Sequence, residues 1–230
     1  MIRRKNKIEP QTLQTMCKQC GICCTKGGPA FHGTDLSLLL EQKIPLHDLI
    51  TLRAGEFAWD PVTESVQAIK HEIIKIRGRG SKWTCCYFNA SNNACSIYQK
   101  RPIACKTLQC WNPSKSLALA GKDLLSRVQV LQNEPALQEL VEQYDTEFPM
   151  PDFTVLQTVL KSGDKIYIAD LETQVNNDLI FREREIGRSK LVSDIEFFLF
   201  GRPLFQLLQS FGVQVFQDGN SLKLQHKEQG

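Results

Sequence analysis

The chain has 230 residues, an apolar share of 42% and a charged share of 23%. That is enough for one domain, or one plus a smaller lobe, built around a real core, and it excludes global disorder and any membrane span of about 18 apolar residues. The net charge of +3 conceals an asymmetry, because residues 1–133 hold 19 Lys/Arg against nine Asp/Glu, whereas residues 134–196 hold six against 14. The balance falls well short of a nucleic-acid-binding domain. A basic lobe that neutralises an anionic cofactor is expected, and nucleic acid is not an expected partner.

In chain order, residues 1–16 read as a basic lead-in with no apolar secretory segment behind it, which points to the cytoplasm. Residues 17–33 carry too many glycines and prolines for a helix. Thr34-Asp35 predicts a capped short helix to about Lys43, and Pro45 a second one from Leu46 to about Leu52. Residues 66–77, rich in β-branched side chains, predict a strand. After the Gly78-Arg79-Gly80 turn, Lys82 to Phe88 predicts its hairpin partner, with Cys85 and Cys86 on opposite faces.

From Ser114 the character becomes helical, with segments at 116–132, 135–147, 152–161 and 168–185. A last stretch, 192–211, is interrupted at Gly201-Arg202-Pro203 and is apolar almost all round. It reads first as a buried core helix and second as an oligomer face at 195–211. Residues 213–217 and 221–225 around Asp218-Gly219-Asn220 predict a terminal hairpin. The expected fold class is α+β. A cysteine-rich metal-binding region, 1–113, carries a short antiparallel hairpin and packs on a mainly helical region, 114–230.

Nine cysteines, all in the first half, dominate the chemistry. In a reducing compartment, thiols so clustered are metal ligands rather than a disulfide scaffold. Cys17-x2-Cys20-x2-Cys23 places sulfurs around one centre, and Gly21 permits the tight turn. The spacing matches the first three ligands of a bacterial ferredoxin run. Here Gly27 stands where the fourth cysteine belongs, and Cys24 is extra. A fourth ligand must therefore come from elsewhere, and Cys86-x8-Cys95-x9-Cys105 forms a second group. Cys24, next to Cys23, is expected to approach from the other side of the chain. Arg101 is placed to donate to thiolate or sulfide, and Tyr98 to pack over the site. Trp83 and Trp111 flank the cysteines as shields against water. His32 is the one histidine near the cysteine loop, but it has no ligand pattern. No nucleophile–base pair, dinucleotide fingerprint or phosphate loop is present.

The Cys17-x2-Cys20-Gly21-x-Cys23-Cys24 run, followed by Cys86 and then Cys95-x-Ile97-Tyr98-x2-Arg101-Pro102-x2-Cys105, resembles the YkgJ-type cysteine-cluster proteins. These are also known as the CxxCxxCC zinc- or iron-chelating domain. The resemblance spans about residues 17–105. It implies metal or cluster binding through Cys17, Cys20, Cys23, Cys24, Cys86, Cys95 and Cys105, and kinship with flagellin lysine N-methylases. It gives no part to Cys85 or Cys110, and the spacing is not that of a radical S-adenosylmethionine enzyme. All-thiolate sites suit zinc and iron–sulfur clusters alike. Seven cysteines exceed one tetrahedral zinc site, so an iron–sulfur protein with a redox or enzymatic role is the favoured reading. A zinc-stabilised interaction module without catalysis is the alternative. A redox or protein partner is expected, but its identity is not written in the sequence.

Overall fold

The computed structural model of the chain describes residues 14–162 and 164–226. Most of the basic lead-in, residues 1–13, lies outside the described residues. The fold mixes helices with small antiparallel strand pairs, as an α+β chain should. Helix α1 (Leu36–Leu40) is followed by β1 (Leu49–Leu52), β2 (Phe57–Asp60), β3 (Ser65–Ala68) and β4 (Ile73–Ile76). Leu49–Leu52 is a strand rather than the expected continuation of a helix from Leu46. Only Leu46–Asp48 turns helically, and Ile50 and Thr51 then pair with Lys75 and Ile74. Residues 66–77 divide into two strands with different partners, β3 on β2 and β4 on β1.

The cysteine-bearing strands are two residues long: β5 (Gly78–Arg79) with β6 (Thr84–Cys85), and β7 (Phe88–Asn89) with β8 (Ala94–Cys95). Helices α2 (Ile103–Thr107), α3 (Ser114–Leu117) and α4 (Arg127–Val130) are short. The single helix expected over 116–132 does not form. Gly121 and Asp123 take φ of +69° and +47°, and an isolated bridge pairs His32 with Leu124. Helix α5 runs Pro135–Glu147 with proline in its first turn, at the expected bounds. Then come α6 (Phe153–Ser162), α7 (Lys165–Arg188, capped by Asp164), α8 (Lys190–Asp194), α9 (Glu196–Phe200) and α10 (Leu204–Gln209). The hairpin β9 (Val213–Asp218) and β10 (Ser221–His226) closes the described chain.

Two apolar cores hold these elements. The first joins Phe31, Leu49, Ile74 and Ile76 to Leu125, Tyr144, Phe181 and Phe198–Phe200. The second gathers Phe153, Leu156, Leu171, Val175, Leu204, Leu208 and Val213. The 195–211 stretch is thus buried within the chain, the first of its two readings. Gly201 makes its break: at φ +68°, an added Cβ would stand 2.6 Å from the Thr51 carbonyl oxygen. Between the two cores, Arg182 donates to Asp178 (2.7 Å) and Glu196 (2.8 Å) and to the carbonyls of Phe200 and Gly201. Asp178 in turn accepts from the Tyr144 hydroxyl and the Leu204 amide. A buried charge held this completely acts as a rivet.

The cysteine segments have little such support. Between residues 78 and 123 the only buried positions are Cys85, Cys86 and Pro102.

Candidate metal centre

The first cysteine segment is a doubly reversed loop. Gln19 at φ +52° and Gly21 at φ +76° turn it twice, and the Gln19 amide donates to Cys17 Sγ at 3.3 Å. Gly21 lies directly beneath Phe88, where an added Cβ would stand 2.2 Å from the ring. A glycine at this position lets the loop settle on the β7–β8 hairpin. Cys23 has helical φ and ψ (−68°, −33°) and leads into the 3-10 turn Cys24–Lys26. The expected divergence of the neighbouring Cys23 and Cys24 therefore does not occur, and their sulfurs stand 4.0 Å apart.

The second segment presents its cysteines from three places. Cys85 pairs with Gly78, Cys95 with Phe88, and Cys105 sits in the first turn of α2 behind Pro102. That helix is moored by a carboxylate from far away in sequence. Asp35, 3% exposed, accepts the Ile103 amide (2.8 Å) at one oxygen and the His32 amide (3.1 Å) at the other. Asp35 thus links the chain after the first cysteine loop to the helix carrying Cys105. Sequence reasoning gave it only a capping role, and nothing local in the sequence marks the longer reach.

These segments enclose a cavity of about 390 Å³, lined by Cys17, Cys23, Cys24, Cys85, Cys95 and Cys105. Of the seven cysteines singled out in the sequence, five line it. Cys20 is exposed and outside the lining, and Cys86, buried in the first apolar core, is outside it too. Cys85, given no part in the sequence reading, faces the cavity. Cys110 is exposed. Among the described residues, no three of these side chains converge on a point that would hold one ion. The sulfurs are spread over the cavity wall instead.

Burial sets the protonation of these thiols. It pushes Cys24 up from 9.0 to about 12, with Cys23 adding to the effect, and Cys105 to about 12, with Cys85 adding. Cys85 is raised in the same direction, also chiefly by burial. Cys86 rises to about 12 through burial and the neighbouring Asp48. Without a metal these thiols are neutral at pH 7, so a metal that binds them must displace their protons. The local charge favours that exchange. Residues 17–34 and 73–113 together hold nine Lys/Arg and not one Asp/Glu.

The other expected neighbours are placed as follows. Tyr98 and Arg101 both line the cavity, stacked with the guanidinium carbon 3.6 Å from the ring centre. The Arg101 Nε donates to the Tyr98 carbonyl at 2.8 Å, so that donor is taken. His32 is buried, and its Nδ1 meets the Lys122 carbonyl at 2.8 Å. Neither Trp83 nor Trp111 lines the cavity. No helix is long and apolar enough to cross a membrane among the described residues.

Residues 16–123, just under half of the chain, match the CxxCxxCC family, described as a "Putative zinc- or iron-chelating domain". No curated protein and no solved structure matches the chain. The metal-binding character of this segment and its choice between zinc and iron are thus the family's own description.

Proposed function

We propose that the chain binds an iron–sulfur cluster in the cysteine-lined cavity and serves a redox or enzymatic role in the cytoplasm. The observation that carries this reading is six cysteine side chains around one space of about 390 Å³. A single tetrahedral zinc ion needs four sulfurs at about 2.3 Å from one point. A cluster is larger, takes its ligands from a wider shell and is held chiefly by cysteine thiolates, as this donor set offers. Cys17, Cys23, Cys24, Cys85, Cys95 and Cys105 are the ligand candidates, with Cys20 near enough in the loop to replace one of them. Tyr98 and Arg101 cover one wall, and apolar neighbours such as Phe88 limit water, which together tune the potential of a bound cluster. When bound, the cluster would supply one-electron chemistry. The chain's own part is to hold the thiolates, balance their charge and exclude solvent.

Anaerobic purification tests this reading directly. A brown protein with iron and acid-labile sulfide in stoichiometric amounts is expected. A colourless protein holding zinc alone, after strictly anaerobic expression, overturns the cluster and leaves the zinc-stabilised module. The ligand set is tested separately. Cys85→Ser should lose metal, and Cys86→Ser should retain it while losing some stability.

A further inference from the structure

Lys75 occupies the third position of β4, between Ile74 and Ile76, both of which are buried in the first core. Strand alternation turns its side chain to the face opposite theirs, and it is Ile76, not Lys75, that lines the cysteine cavity. Its Nζ reaches to within 3.6 Å of where a Gly27 Cβ would stand, and Gly27 lines the cysteine cavity. The charged or ionisable groups acting on it are Arg202, which repels it, and Cys85, which attracts it once ionised. Arg202 is itself paired with Glu56 at 2.6 Å. Among the described residues, the Lys75 ammonium has no ion pair and no hydrogen-bond partner. Enclosure and Arg202 both push its pKa down.

An enclosed ammonium with no anion is a cost to the fold. Arg182, another deeply placed cation, has two carboxylates and several carbonyls around it. Lys75 has instead a thiol-lined cavity, whose ligand sulfurs a bound metal holds as thiolates. Thiolate ligands bring more negative charge than the metal cancels, so a metal-loaded centre is anionic and favours a fixed cation at its edge.

We propose that Lys75 is a positioning residue for the metal centre, its ammonium serving as the fixed counter-charge at the Gly27 edge of the cavity. This inference rests on the reading that the cavity thiols, Cys85 included, bind metal. It holds for zinc or for an iron–sulfur cluster.

The two states respond to Lys75 with opposite signs, and that makes the test. In the full chain, Lys75→Met removes the unpaired charge from the metal-free protein and the counter-charge from the loaded one. The metal-free variant should melt at a higher temperature than wild type. The loaded variant should surrender its metal to EDTA at least ten times faster, and Lys75→Arg should return that rate to within threefold of wild type. A Lys75 with a merely structural role would move both states in one direction and would not be rescued by arginine. Loss rates for Lys75→Met within twofold of wild type, or a lower melting temperature for its metal-free form, overturn the proposal alone. If the purified wild-type chain holds neither iron nor zinc, the metal reading falls and takes this inference with it.

Discussion

The cysteine segments and the helical segments of this chain are ordered by different means. From Phe153 to Val213, order comes from apolar burial: Leu156, Val175 and Leu208 are fully enclosed, and Phe153 stacks on Phe211 at 4.5 Å. The only deeply buried cation there, Arg182, is paired on every side. From 78 to 122, burial is almost absent, strands are two residues long, and seven Lys/Arg stand without a single Asp or Glu. On the reading proposed above, the first region folds on its own chemistry, whereas the second gains its order from a bound metal, whose binding energy becomes folding energy.

The largest expected effect follows from removing the metal. For structural zinc peptides this coupling reaches about 10–16 kcal/mol. Chelation should therefore loosen residues 14–30 and 78–123 and leave α5, α7 and the second core standing. Limited proteolysis with mass spectrometry checks this through cleavage concentrated before residue 124, and circular dichroism through retained helix. A chelated protein that resists protease throughout would erase the contrast between the two regions.

The converse experiment strikes the helical side. Arg182→Met leaves Asp178 buried without its main partner, at a cost of about 3–5 kcal/mol. Thermal unfolding should show that loss, while metal per folded molecule stays unchanged. A fall in metal content among the folded molecules would show that the two regions are not separable.

A smaller effect is expected at the link between the cysteine segments. Asp35→Ala leaves the buried amides of His32 and Ile103 without their acceptor, at about 1–3 kcal/mol per unsatisfied group. It should also release the helix carrying Cys105, so metal affinity drops along with stability. Titration of zinc into the metal-free variant, read against wild type, measures the second effect. Stability lost with affinity intact would make Asp35 a local cap only.

The mildest prediction concerns pH. The folded pKa values of Cys24, Cys86 and Cys105 lie near 12, above the ordinary 9.0. Groups raised on folding contribute their full stability below the unfolded value and lose it as pH climbs toward the folded one. The metal-free protein should be indifferent between pH 7 and 9 and weaken progressively from 9 to 12. The loaded protein, whose ligand thiols have already lost their protons, should show a flatter decline, which denaturant melts at stepped pH would resolve. Equal decline in both forms would mean that the metal leaves Cys24 and Cys105 protonated.

Much of this organisation is legible in the order of the residues. The cysteine spacing defines the metal region, proline and amphipathic period place α5 to the residue, and the Asp218-Gly219-Asn220 turn announces the last hairpin. These signals are local, carried by residues within a few positions of one another. The misreadings are long-range. Leu49–Leu52 became a strand because β4 supplied an edge for it, and 116–132 broke where His32 bridges to Leu124.

What the sequence by itself determined is the chemistry available: a set of thiols, a surplus of cations near them, and separate helical segments able to bury apolar faces. Which thiol faces the cavity was decided only in three dimensions. The sequence suggests alternation of Cys85 and Cys86, but β6 ends at Cys85, and a two-residue strand has no pattern to say which side is inward. Cys85 and Cys86 both join the first core, and it is the contact of β6 with the Cys24–Lys26 turn that brings Cys85 to the cavity. The same holds for Asp35 and Lys75. Each reads locally as an ordinary charged residue, and only the folded chain sets one against the helix of Cys105 and the other, unpaired, beside the cavity.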